Sequence, residues 1–325
     1  MRTQTILVYV DTRTARPLRR ATDCIAQLAA LAAPHGGRII VCDAVSLPEG
    51  NGARAELEDR LVELRCRFAT DTLKTLVAGI GSQSDIEIMV FKGKPLIGIV
   101  QLVAARKVDL VACIPSVSAA GGLDSTTLHL LRKCPGAVWV MREPPRDTPR
   151  KIAVAVDRDI FPASEHPRAM AQQLLDAAVT AARPSLSELH LVHAWEVYGA
   201  ELLVGLGNEL DAEEIRRYRE SQRYSHTIWL QELHAQLRSR LAAAGVESAH
   251  SEIHLIEGAP GEALPPWLAL LGADLLVLGT LGSSAVPGLL IGTNAETIIM
   301  STDIPVLALK PSGFRSPLAA GMQAA

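Results

Sequence analysis

The chain has 325 residues, 48% hydrophobic content and a formal net charge of −3, which suits a globular protein with room for two domains of ordinary size. Aromatics are only 4% and the pI is near 6.3, so neither a base-stacking platform nor the basic footprint of a nucleic-acid binder is expected. All five cysteines (24, 42, 66, 113, 134) fall in the first half without a C-x-x-C pair, which favours buried reduced thiols over disulfides or zinc.

The N-terminus runs straight into a predicted strand and shows no signal-peptide pattern. Strand and helix signals then alternate, as in β-α-β units. Strands are expected at Ile6–Val10, Arg38–Val45, Ile86–Val90, Leu110–Ile114 and Ala137–Met141. Helices are expected at Arg16–Ala33, Arg54–Val77, Pro95–Arg106 and near Thr126–Arg132. The segment 143–150 is rich in proline and charge and reads as a linker between a domain at 1–142 and a second at 151–311. Residues 312–325 have the small, polar composition of a disordered tail.

The second half repeats the first. Asp11 corresponds to Asp157 (offset 146), while Gly93-Lys94-Pro95 corresponds to Gly258-Ala259-Pro260 and Asp109 to Asp274 (offset 165). The difference of 19 is an insertion in the second copy, and a period this long indicates duplicated domains. Most of it falls after the second strand of that copy, where Val197–Leu210 is apolar enough to cover a crevice or pack on the neighbouring domain. A long helix from Asp211 to Ala244 follows, its arginines interleaved with Glu213, Glu214 and Glu220 as on a solvated face. The most membrane-like window, Ala263–Leu281, is split into a short helix and a strand by Pro265-Pro266, Gly272 and Asp274, so no membrane span is expected.

The chemistry concentrates at Asp274 to Lys310. A buried strand, Leu275–Leu278, runs into a loop with Gly279, Gly282 and Gly292-Thr293, and then into a helix opened by Asn294. Glycines let a backbone approach a ligand, and the first amides of a helix present free N–H groups to an anion. No Lys or Arg lies between Gly279 and Thr293, so this is not a Walker A loop, and nothing in it supplies a general base. Slow hydrolysis at most would follow. Histidine pairs within one predicted strand offer no metal site. His190 and His193 point to opposite faces, and His250 and His254 stand about 13 Å apart at ~3.3 Å per residue.

The spacing G-x2-G-x9-G-[ST] resembles the nucleotide-binding signature of the universal stress protein family. Ile152–Asp157 resembles that family's first strand and aspartate, and Gly258-Ala259-Pro260 its third-strand exit. Leu130–Pro135 with Val138–Met141 is similar to the end of the first domain in two-domain (E-type) members. The resemblance implies an α/β fold of two tandem, doubly wound, five-stranded parallel-sheet domains, adenine nucleotide alpha hydrolase-like, with strand order 3-2-1-4-5. It implies binding of ATP, with ADP or AMP as alternatives and Mg2+ accompanying a triphosphate. Asp157 would recognise the nucleoside, and His193-Ala194 would flank the base. Gly279, Gly282, Gly292, Thr293 and Asn294 would surround the phosphates. It also implies a cytoplasmic stress-response protein that works by binding. The two copies would pair internally through their final strands, and a homodimer is compatible with this. In the first copy Asp11 is present, but Pro115–Ser125 lacks the G-x2-G pair, so that copy is expected to be degenerate. Two other functions stay open: an interaction protein using an apolar surface without nucleotide, and a weak ATPase.

Overall fold

The computed structural model describes residues 5–47, 55–80, 85–115, 122–142, 150–158, 166–182, 186–199, 211–280, 292–314, 316 and 318. Gly282, the linker at 143–149, most of the apolar insertion (200–210) and the tail from 319 lie outside the described residues, as does most of the first copy's loop (116–121). Among the described residues no helix is long and apolar enough to cross a membrane.

The chain divides into two compact α/β units. The first carries β1 (Thr5–Tyr9), α1 (Ala15–Ala32), β2 (Arg38–Val45), α2 (Ala55–Ala78) and β3 (Asp85–Lys92). It continues with α3 (Pro95–Arg106), β4 (Leu110–Cys113), α4 (Ser125–Lys133) and β5 (Ala137–Val140). Its strands lie side by side as β3-β2-β1-β4-β5, all parallel, the 3-2-1-4-5 order the resemblance implies. The second unit carries β6 (Lys151–Ala155), α5 (His166–Ala181), β7 (Glu188–Trp195), α6 (Ala212–Ala243) and β8 (His250–Glu257). It ends with α7 (Pro260–Leu271), β9 (Leu275–Gly279) and α8 (Thr293–Met300). Its strands run parallel in the order β8-β7-β6-β9, the first four places of the same arrangement.

The fifth expected strand of the second copy is β10 (Val306–Leu309), which clusters with the first unit. It pairs antiparallel with β5, Val306 opposite Val140 and Ala308 opposite Val138. The final strands of the two copies are thus hydrogen-bonded partners. Helices occupy both faces of parallel sheets, so the inner strands read as unbroken apolar runs. Ile6, Leu7 and Val8 of β1 and Leu275, Leu276 and Val277 of β9 have no exposed surface. Each such side chain stabilises by about 1.5–3 kcal/mol relative to exposure.

The same backbone bonds recur in both units. Val10 N donates to Cys42 O and Val156 N to Val192 O, each at 2.9 Å. Gly93 N donates to Val45 O and Gly258 N to Trp195 O, each at 2.8 Å. Both glycines have strongly positive φ (126° and 137°), a turn that a side chain would strain. Each first strand is tied at its start by an aspartate ahead of the fourth strand. Asp109 Oδ2 accepts from Thr5 N at 3.0 Å, and Asp274 Oδ2 accepts from Lys151 N at 2.9 Å and Arg150 N at 3.0 Å. Bonds to a charged acceptor contribute about 1.5–3 kcal/mol. Asp274 is partly solvated, so Asp274→Ala is expected to cost about 1.5 kcal/mol, the low end of that range. Urea unfolding with an unchanged m-value would check this.

The membrane-like window separates into a helix and a strand as expected, α7 ending before Gly272 and β9 starting after Asp274, but the prolines are not where it breaks. Helix α7 continues through both prolines and stops at Gly272 (φ 66°). It forgoes two amide bonds, and burial of Leu264 and Leu268 offsets part of that loss.

Candidate functional site

Strands β6 and β9 are neighbours, with Ala155 opposite Leu278. Asp157 follows β6 by two residues and Gly279 ends β9, so 122 residues of sequence separation close into one sheet edge. This edge is the carboxyl end of adjacent strands where the winding direction reverses, the crevice position in open α/β sheets. Asp157 is exposed there. Beside it Arg158 places its guanidinium 2.8 Å from Ser225 Oγ of α6. Arg158 is a cation that the loop itself lacks. Its position directly after the strand-end aspartate was the available sequence signal.

Helix α8 starts at Thr293, with Gly292 as its cap. Gly292 N donates to Thr280 O at 2.8 Å, and Thr280 is completely buried. That amide closes the loop onto the end of β9 and is already used. The next amides, from Thr293, Asn294 and Ala295, lack intrahelical acceptors by geometry, and Thr293 and Asn294 are exposed. These amides carry the positive end of the helix dipole at the exposed first turn of α8. Two tight contacts set this arrangement. A Cβ on Gly279 would stand 3.2 Å from Met170 Cγ and Sδ of α5, and one on Gly261 of α7 would stand 3.2 Å from Thr297 Cγ2 of α8. Glycine at both places lets the helices approach closely.

His193 and Ala194 are buried. His193 Nδ1 lies 3.0 Å from Val156 O and its Nε2 lies 2.9 Å from His226 Nδ1. A carbonyl can only accept, so neutral His193 carries its proton on Nδ1, and Nε2 accepts from the Nδ1–H of His226. Trp229 packs edge-on against the His193 ring at 4.9 Å, and Trp195 packs on His226 at 4.9 Å. Burial pushes the His193 imidazole down to about 4, with His226 and Arg158 adding to the effect against the Val156 carbonyl. His193 therefore holds the peptide immediately before Asp157. This network joins three chain segments, and no local spacing announces it.

In the first unit the corresponding edge is occupied by its own side chains. Asp11 takes Arg13 Nε at 2.9 Å and a terminal nitrogen at 2.7 Å, together with the Arg13 amide at 2.9 Å. Burial works to raise this carboxyl, yet the Arg13 contacts outweigh it and hold it below its ordinary range. Asp43 stands at the position of His193 (offset 150, from Arg38 against Glu188) and is fully buried. It accepts from Thr12 Oγ1 at 2.6 Å and Ala44 N at 2.7 Å, with Arg65 at 3.3 Å.

Fold and strand order define a doubly wound, adenine nucleotide alpha hydrolase-like protein. The model of the universal stress protein family matches residues 149–310. The chain belongs to the universal stress protein family. Its curated relatives include universal stress protein E of Escherichia coli (strain K12), 28% identical over 196 residues, 59% of this chain. That alignment spans 57% of the relative's length. The namesake from Photorhabdus laumondii is also 28% identical, over 76% of this chain and 75% of its own. Among solved structures, a universal stress protein from Archaeoglobus fulgidus superposes with a TM-score of 0.62 at 15% identity. It covers 95% of this chain and 99% of its own. At that identity the likeness concerns the fold.

Proposed function

We propose that this protein binds one adenine nucleotide, ATP in the first instance, at the β6–β9 edge of its second unit, and acts in the cytoplasmic stress response by binding. The observation that carries this reading is the meeting of Asp157, Gly279 and the first turn of α8 at one switch point. Asp157 would take the nucleoside end and Gly279 and Gly282 the approach of the phosphates. The amides of Thr293 and Asn294 would meet phosphate charge, with Mg2+ accompanying a triphosphate. Gly292 would act by closing the loop. The first unit is proposed to bind none, because its aspartate is committed to Arg13 and its edge is filled by Asp43, Thr12 and Arg65. The two copies, with boundaries near 142 and 151, are proposed to pair through β5 and β10.

Since β10 is hydrogen-bonded within the first unit, cutting the chain near Thr148 would remove a strand from that unit. The test therefore uses the full chain. Labelled ATP should saturate at one equivalent, and Asp11→Ala should leave both stoichiometry and affinity unchanged. Two equivalents, or an effect of Asp11→Ala like that of Asp157→Ala, would show that the first site is functional. No binding at all would favour a nucleotide-independent interaction protein.

A further inference from the structure

On the other face of the second unit's sheet, strands β7 and β8 bring together residues that no single strand could. His190 lies opposite Glu252, and His254 is two residues further along the same face of β8. His190 Nδ1 is 3.0 Å from His254 Nε2. Glu252 Oε2 is 3.9 Å from the first nitrogen and 3.7 Å from the second. A point equidistant from three atoms with these separations lies about 2.1 Å from each, the bond length zinc makes to imidazole nitrogen and carboxylate oxygen. Tetrahedral coordination at that length asks for separations of about 3.4 Å between ligand atoms, so shifts of a few tenths of an ångström would receive an ion.

The surroundings fit a ligating site. His190 is buried, and its Nε2, which has no hydrogen-bond partner, faces Glu188 Oε2 at 3.6 Å. That carboxylate favours the tautomer with the proton on Nε2, which leaves Nδ1 as a lone pair aimed at His254 and Glu252. A histidine oriented by a carboxylate on its far nitrogen is the usual outer-shell arrangement at metal sites. The ring of Trp267 from α7 stands 4.9 Å from that of His254 and fixes its other side. Glu252 is half-exposed on the outermost strand of the unit, which provides an entry path and an open fourth position for water.

We propose that His190, Glu252 and His254 form a binding site for a zinc-class divalent ion, on the face of the sheet opposite His193. Imidazole with one carboxylate suits zinc better than calcium or magnesium, which prefer oxygen ligands alone. The site shares no residue with the β6–β9 edge, so it is tested separately from the nucleotide reading.

Chelator-stripped full-length protein, free of nucleotide, would be titrated with Zn2+ against a chromophoric chelator. One equivalent per chain is expected. His254→Gln and Glu252→Ala, both at partly exposed positions, should each lose that equivalent while the chelated protein keeps its circular dichroism and melting temperature. Glu188→Gln should weaken binding about 10–100-fold through the orientation of His190. ATP binding by His254→Gln should match the wild type, which separates failure of this site from failure of the nucleotide site. The proposal is overturned if the stripped wild type takes up no stoichiometric Zn2+, or if His254→Gln and Glu252→Ala retain it.

Discussion

Asp157→Ala is expected to weaken ATP and adenosine by similar factors, about ten- to a hundredfold. The carboxylate sits beyond the last residue of β6 and is exposed at the sheet edge, so its removal should change the fold little. A hydrogen bond to a charged acceptor contributes about 1.5–3 kcal/mol, and each 1.4 kcal/mol is a factor of ten in affinity. Adenosine has no phosphates, so equal losses locate the contact at the nucleoside end. Isothermal titration of both ligands gives the comparison. If ATP weakens and adenosine does not, Asp157 acts on the phosphate end, directly or through Mg2+. If neither changes, the residue has no part in binding. The role of His193 in holding the Val156 carbonyl adds a second lever on the same group. Displacing that peptide would move Asp157 without touching it.

What could be read from sequence follows how local each determinant is. Leu275–Leu278 reads as a buried strand because parallel sheets covered on both faces need apolar residues at every position. The meeting of Asp157 and Gly279 was legible from strand order, since a switch point brings the exits of strands 1 and 4 together whatever lies between them. The partner of β10 was not legible from composition: four apolar residues suit a parallel or an antiparallel neighbour equally well. Gly292 was placed among the phosphate contacts, and nothing in the signature tells that its amide is taken by Thr280 O. The histidines illustrate the same limit. Periodicity along one strand correctly separates His190 from His193, but it carries no information about which residue of β8 lies beside β7. That register is set by the whole sheet, and it brings His190 to Glu252 and His254. Asp43 and Arg65 in the first unit were missed for the same reason, because β2 and α2 meet only in the fold.

The stability of the protein is expected to fall by about 3 kcal/mol on the account of His193 alone as pH drops from about 6.5 to about 4. An unfolded chain binds a proton at this imidazole with its ordinary affinity, near 6.5, whereas the folded protein resists until about 4. Between those values the unfolded state holds more protons, so stability rises with pH across the window and is fully present above it. The cause is structural. Protonation would bury a cation and place an N–H on Nε2 against the Nδ1–H of His226, with the Arg158 guanidinium nearby; the Val156 carbonyl is the one favourable contact. The ring titration itself should appear near pH 4 in the imidazole proton shifts of the folded protein. Chemical denaturation at pH 7 and pH 4.5 would supply the energetic side. Other groups titrate in the same range, so the diagnostic is a difference between proteins. His193→Gln removes the titration, so its stability should fall less than that of the wild type between the two pH values, even though it starts lower at pH 7. Trp195 and Trp229, which pack on this pair of rings, provide a fluorescence signal local to it. Equal pH dependence in the two proteins, together with an imidazole titrating near 6.5, would mean that His193 is solvated and does not hold the peptide before Asp157.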